Sequence, residues 1–287
     1  MSAEVLARPA CSQASLKDYQ KMPELKVIEV RTLSSYARHV ADKPEDMKWF
    51  RGVSRASYEL VPSLYRHPSI EDSVELLQKE AKLVTRFRER AQPMVGRPLP
   101  DDRLEMMFLM QHHGMPTRLL DWSENAFIAL FFALSNVDKS EDGKSVGTSC
   151  VWILKPTLWN RKVQEHIGYP GDPFSVGDPR LANGYINVEG GNGLMAKPVA
   201  VYGVHNSPRI VSQRGVFTLF GTSNTPMEKV FKEDNFPDDC LTKLEFKGGY
   251  QDELFKELVS AGVIDSTVYP DLDGLARELR RSHGYKV

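Results

Sequence analysis

The chain is expected to fold as an α+β domain, with flanking helices around a mixed, largely antiparallel central sheet. Three observations lead there. Short β-branched and aromatic runs suited to strands are scattered over the 287 residues. They come in the order strand, helices, mostly strands, then helices, without the regular alternation of a doubly wound parallel sheet. One segment, 124–136, is apolar almost all round and must lie centrally. Residues 1–24 are polar and unpatterned and read as a flexible tail, which leaves 25–287 as a single domain.

Val27-Ile28-Glu29-Val30 reads as a strand. A short helix over 33–40 follows, opened by Thr32 or Ser34. Residues 47–53 form a second strand, which carries Arg51. Residues 71–92 are the clearest helix: Leu76, Leu77, Leu83, Val84 and Phe87 fall on one stripe, with Glu71 and Asp72 suited to its N-terminus. A loop with Pro and Gly spans 93–100. Asp101 or Asp102 then caps a helix reaching His112, which Gly114 stops and Pro116 keeps from resuming.

Residues 117–122 are extended and lead into the apolar helix 124–136. A strand is expected over 150–154 and a short helix over 157–166. Residues 169–197, rich in Gly, Pro and Asn, read as a long loop of the kind that serves as a lid. Strands follow at 199–202, 210–213, 216–220 and 241–246, the last alternating Leu, Leu and Phe with Thr, Lys and Glu. Helices over 251–261 and 272–280 close the chain.

Composition narrows the function classes. A net charge of −1 lacks the basic surplus of a protein that wraps duplex nucleic acid, although nucleic acid stays open as an enzymatic substrate reached through a small basic mouth. Arg86, Arg88 and Arg90 read as a solvated helix face. No run approaches the ~18 apolar residues of a membrane-spanning helix, and the start shows no secretory signal. Cys11, Cys150 and Cys240 lie far apart, which argues against a zinc ribbon or disulfide framework and fits a cytoplasmic protein.

Chemistry concentrates in Gln111-His112-His113-Gly114-Met115-Pro116-Thr117-Arg118-Leu119-Leu120-Asp121-Trp122-Ser123, directly before the apolar helix. Polar, reactive side chains presented at element ends mark a site. Adjacent histidines on a helix diverge by about 100° and cannot share one ion, so no metal site is expected. Gly190-Gly191-Asn192-Gly193 lacks the Lys-Ser/Thr of a phosphate loop, and no nucleophile elbow is present.

This segment, with Ala129-Leu130-Phe131-Phe132-Ala133, resembles the central motif of the FRG domain family. Phe50-Arg51-Gly52 matches the triplet for which that family is named. Leu60-Val61-Pro62-Ser63-Leu64 with Arg66, Ser212-Gln213-Arg214-Gly215-Val216-Phe217 and Tyr269-Pro270-Asp271-Leu272-Asp273-Gly274-Leu275 follow in order. The resemblance implies a fold similar to that of ADP-ribosyltransferases. The activity it implies is transfer of ADP-ribose from NAD, as substrate, to a nucleic acid, nucleotide or protein, in the setting of a toxin or an anti-phage effector.

Cleaving the nicotinamide–ribose bond builds positive charge on the ribose. It calls for a cation at the pyrophosphate, an apolar slot and polar groups at the ribose. Arg51 is the candidate anchor, since a guanidinium fork suits phosphate. Asp121 and His113 are candidates for charge or proton handling, and Thr117, Arg118 and Ser123 for cofactor contacts. The resemblance singles out Gln213, at the position where the transferase pattern ends in Glu; an amide there opens the alternative of a non-catalytic nucleotide or nucleic-acid binding module. A plain NAD glycohydrolase is a third reading. Plainer roles stand beside these: an ion pair between Arg118 and Asp121, a helix cap for His113, a core position for Trp122 and a sheet-end amide for Gln213. The sequence leaves the oligomeric state open.

Overall fold

The structure is a computed structural model describing residues 23–41, 47–96, 98–186, 194–204 and 207–285; most of the expected tail, and Gly190 to Gly193, lie outside them. Seven strands form one open sheet: β1 (Lys26–Glu29), β2 (Trp49–Val53), β3 (Leu119–Ser123), β4 (Thr148–Leu154), β5 (Val199–Tyr202), β6 (Gly215–Leu219) and β7 (Leu241–Lys247). Their order across the sheet is β1-β7-β4-β2-β3-β6-β5. Only β1 with β7 is parallel; the other neighbours are antiparallel, so the sheet is mixed and largely antiparallel as expected.

The helices are α1 (Leu33–Val40), α2 (Ser73–Ala91), α3 (Arg103–His112), α4 (Ala126–Leu134), α5 (Pro156–Val163), the single turn α6 (Pro179–Leu181), α7 (Pro208–Gln213), α8 (Met227–Glu233), α9 (Gly248–Ser260), α10 (Asp265–Val268) and α11 (Leu272–Ser282). Local chemistry explains their starts. Thr32 accepts from the N–H of Ser35, Asp72 from Val74 and Asp102 from Glu105, each satisfying a backbone donor that the first helical turn leaves open. Asn125 accepts from Phe127 and Ile128 and opens α4. No helix among the described residues is long and apolar enough to cross a membrane.

Strand alternation sorts the core into layers. Phe50, Val151, Ile153, Leu244 and Phe246 face α1, α4 and α9 on one side of the sheet. Trp49, Leu120, Trp122, Cys150 and Trp152 face the other side, against α5, α8 and the start of α2. Leu119, Val199, Val201, Phe217 and Leu219 pack under α3 with Phe174, Leu181 and Tyr185. Helix α4 is the anchor of the first layer. Ile128, Leu130, Phe131 and Leu134 are each at most 5% exposed, and burial of side chains of that size stabilises by ~1.5–3 kcal/mol apiece.

Two expectations are corrected. Residues 210–213 do not form a strand; they end helix α7, because Ser207 caps it through the Ile210 N–H and Pro208 occupies its first turn. Residues 169–186, expected as part of a lid-like loop, pack into the third core layer through Tyr169, Phe174, Leu181 and Tyr185. Their Gly, Pro and Asn content hid buried aromatic anchors spaced irregularly.

The sheet is forked. Strands β2 and β4 pair over five residues, and so do β3 and β6, but β2 and β3 pair at Phe50 with Ser123 alone. One part, β1-β7-β4-β2, therefore diverges from the other, β3-β6-β5, immediately beyond that pair. The functional groups gather in this fork.

Candidate functional site

A cleft of about 410 Å³ opens where β2 and β3 part. Phe50 and Gly52 face α4, so alternation puts Arg51 on the opposite face of β2. Asp121, between buried neighbours on β3, is the exposed residue of that strand and lies beside Phe217 of β6. In a continuous ladder these two side chains would be separated by the sheet. In the fork, Arg51 reaches across: its Nη1 donates to the Asp121 carbonyl oxygen at 2.6 Å and lies 3.9 Å from the Asp121 carboxylate. The guanidinium thus satisfies a carbonyl that has no backbone partner from β2.

Gly52 makes the fork possible from the other side. A Cβ at this position would lie 1.8 Å from the Ala129 carbonyl oxygen and 2.7 Å from the Ala133 nitrogen. Only a residue without a side chain lets α4 lie so close on β2. Phe50 and Gly52 therefore dock the helix, and Arg51 between them is left to the cleft.

Helix α3 supplies the carboxylate's support. The Thr117 hydroxyl donates to Gln111 Oε1 at 2.5 Å, which orients the amide so that Gln111 Nε2 donates to the Asp121 carboxylate at 3.0 Å. Helix α7 forms the opposite wall. Ser123 donates to the Gln213 carbonyl oxygen at 2.6 Å and accepts from the Asn125 N–H, while the Glu124 N–H donates to the Arg214 carbonyl. Arg214 closes the helix with a φ of 46°, in the left-handed region. This clamp presents Arg209, Ile210 and Gln213 to the cleft. Phe108, Phe132 and Phe217 supply apolar walls, and Phe108 and Phe217 lie 4.7 Å apart between ring centroids.

The electrostatic balance is positive. Arg51, Arg66 and Arg209 line the cleft against Asp121. Arg66 has no hydrogen-bond or ion-pair partner among the described residues, and Arg51 Nε is buried without a hydrogen bond. Burial lowers the Arg51 pKa, with the Asp121 charge opposing and that of Arg66 adding to the shift; a guanidinium nevertheless stays protonated. Arg209 lies over the Tyr269 ring, 4.8 Å from its centroid. Burial, His113 and Arg209 hold His112 below its ordinary pKa, against the pull of Asp271, so it is neutral at neutral pH. Such a cleft suits an anion carrying a flat apolar group.

The residues singled out from sequence divide accordingly. Arg51, Asp121, Ser123 and Gln213 come together at the cleft. Within it the Ser123 hydroxyl is engaged in the clamp, and the Gln213 amide donates to the Val268 carbonyl at 3.0 Å. Thr117 is fully buried and acts through Gln111. Arg118 is also fully buried, and it pairs with Glu80 of α2 at 3.0 Å, not with Asp121. Arg118 lies just before β3, with its carbonyl oxygen accepting from the Phe220 N–H and both its N–H and its guanidinium turned to Glu80, away from Asp121. His113 caps α3 through its backbone N–H and is exposed, while His112 lines the cleft.

Sequence reasoning passed over Gln111, His112, Arg66 and Arg209 as site residues. The first two stand in the conspicuous motif, and an amide ten residues before a carboxylate across a tight turn is a usable signal. Arg209 carries no signal at all.

Residues 46–142 match the FRG domain, a span that takes in β2, α2, α3, β3 and α4 and so both sides of the fork. No curated protein and no solved structure matches the chain.

Proposed function

With an FRG domain across both sides of the fork as the premise, we propose that the cleft binds NAD and that the protein transfers its ADP-ribosyl group to an acceptor. The observation that carries this reading is one carboxylate, Asp121, set among three arginines in a cleft with aromatic walls. The pyrophosphate needs cations, and Arg51 and Arg66 offer guanidinium donors that the protein leaves partly unused. The bases need apolar surface, which Phe108, Phe132 and Phe217 offer. The ribose, becoming cationic as nicotinamide departs, needs a nearby negative charge held in advance. Asp121 is so held, by Gln111 and beside Arg51, with its side chain 56% exposed and open to a ligand.

In this reading Asp121 takes the charge-stabilising role that the uncharged Gln213 cannot fill. Gln213 and Ser123 position α7 as the far wall. A cytoplasmic location, where NAD is at hand, belongs to the same proposal, as does a role as a toxin or anti-phage effector.

The test is NAD binding by calorimetry together with nicotinamide release by chromatography. Wild type is expected to bind NAD and release nicotinamide. Asp121→Asn should retain binding and lose ~100-fold or more in turnover, the scale on which a preorganised charge acts. Absence of both binding and release from folded wild-type protein would sink the proposal. The engaged amide of Gln213 favours one competing reading, a module that binds nucleotides without chemistry. It predicts NAD binding with no nicotinamide released. Free ADP-ribose without a modified acceptor would instead identify a glycohydrolase.

A further inference from the structure

A second groove, of about 640 Å³, adjoins the cleft. Tyr58 and Arg66 line both, so a group seated in the groove lies against the contents of the cleft. Lys229 also lines the groove, but Glu59 holds it at 2.8 Å. Nearby Arg55 is likewise spent, on Asp138 at 2.8 Å. Arg66 therefore remains as the groove's cation without a partner among the described residues. Tyr58 is 46% exposed, with the Arg55 guanidinium 5.8 Å from its ring centroid. On the far wall Asn224 presents its amide oxygen, its Nδ2 donating to the Glu71 carbonyl oxygen at 3.4 Å, while the Thr225 hydroxyl accepts from Ser223; Val61 and Pro226 form an apolar floor.

From this arrangement we infer that the groove is the acceptor site and that the acceptor is an unpaired nucleotide of a single-stranded nucleic acid. The inference rests on the transferase reading of the cleft. An exposed aromatic face beside an unpaired guanidinium matches a base with its phosphate. A basic peptide would need an uncommitted carboxylate, and Glu59 is already paired. An acidic peptide would use Arg66 and leave the ring idle. Global charge is compatible, since one or two nucleotides need a local cation and not a basic surface.

In the transfer step, a ring nitrogen or hydroxyl of the acceptor forms a bond to the ribose carbon as that carbon's bond to nicotinamide breaks. The bonding pair leaves on nicotinamide, which departs neutral, and the acceptor's proton passes to solvent.

The test uses the full chain, a fluorescently labelled single-stranded oligonucleotide of mixed sequence, and NAD measured separately by calorimetry. Asn224→Asp and Lys229→Glu change groove residues that do not line the cleft. Each makes the groove more negative and is expected to weaken oligonucleotide binding about tenfold by repelling the phosphate backbone, with NAD affinity unchanged. Mass spectrometry should place ADP-ribose on the oligonucleotide. The inference is overturned if wild type does not bind the oligonucleotide, if both variants bind it as wild type does, or if ADP-ribose is found on protein side chains instead. Variant-sensitive oligonucleotide binding without any NAD binding would sink the transferase reading of the cleft while supporting the nucleotide site.

Discussion

Two arginine–carboxylate pairs meet at strand β3, and they differ in nearly everything but chemistry. Arg118 with Glu80 is fully buried on both sides, the ion pair made at 3.0 Å and backed by the Arg118 N–H donating to the same carboxylate. Arg118 Nη1 and Nη2 find no hydrogen-bond partner among the described residues. Arg51 with Asp121 is looser, 3.9 Å apart, with the two side chains 21% and 56% exposed. The first pair is inaccessible to any ligand and ties α2 to the start of β3. The second keeps donors and a carboxylate open to a cleft. What separates the two is access: a charge pair closed off from water can only hold the fold together, whereas one that faces a cleft is open to a ligand.

The largest effect expected from breaking this contrast is at the buried pair. Glu80→Leu should cost ~3–5 kcal/mol in urea unfolding, because it strands the Arg118 charge in a dry core. Adding Arg118→Met should recover most of that loss; if the double variant is no better than the single, the pair is not what Glu80 serves.

Next comes Gly52→Ala, which drives a methyl group into the backbone of α4. A destabilisation of ~1–3 kcal/mol is expected, together with weaker NAD binding as α4 shifts on β2. Wild-type unfolding and NAD affinity in this variant would show that the close approach of α4 does not shape the cleft.

Arg51→Lys sharpens the comparison from the functional side. It keeps the charge but loses the planar fork that spans β2 and β3, so NAD affinity should fall about tenfold, with stability changed by only ~1 kcal/mol. A larger loss of stability than of affinity would move Arg51 into the same class as Arg118.

The smallest effect concerns His112. Its pKa is lowered in the fold, so the unfolded chain takes up this proton first as pH falls below ~6.5, and stability decreases from there down to the folded value. An anion in the cleft favours the protonated ring. Affinity for ADP-ribose, whose diester phosphates keep their charge, should rise a few-fold between neutral pH and mildly acidic pH, and His112→Gln should flatten the slope. An equal slope in that variant would remove His112 from the cleft's electrostatics.

Much of this was legible beforehand in particular residues. Capping residues marked three helix starts, since a cap acts within one turn; the structure chose Thr32 over Ser34 and Asp102 over Asp101, and made Asp72 a cap where only an acid near the N-terminus was expected. Arg51 and Asp121 stood out as polar groups at element ends. Arg118 was misassigned because proximity in sequence says little about side-chain direction until the tertiary contacts are known. Residues 210–213, the end of the helix Pro208–Gln213, were read as a strand because four residues are too few for either period to show. Tyr185 and Phe174 were missed as core anchors inside a segment that looked like a loop.

The sequence alone determined the α+β class, the positions of most elements, the apolar α4 and the polar segment that supplies part of the cleft lining. Each depends on periodicity, capping or turn chemistry, which act over a few residues. Only the tertiary structure decided that β2 and β3 would part after a single pair, that Arg51 would bridge a gap to a residue 70 positions away, and that Arg66 and Arg209 would join it. Those outcomes follow from how α4 packs on Gly52 and how α7 is clamped to the end of β3. Such contacts between distant segments leave no periodic trace in the chain.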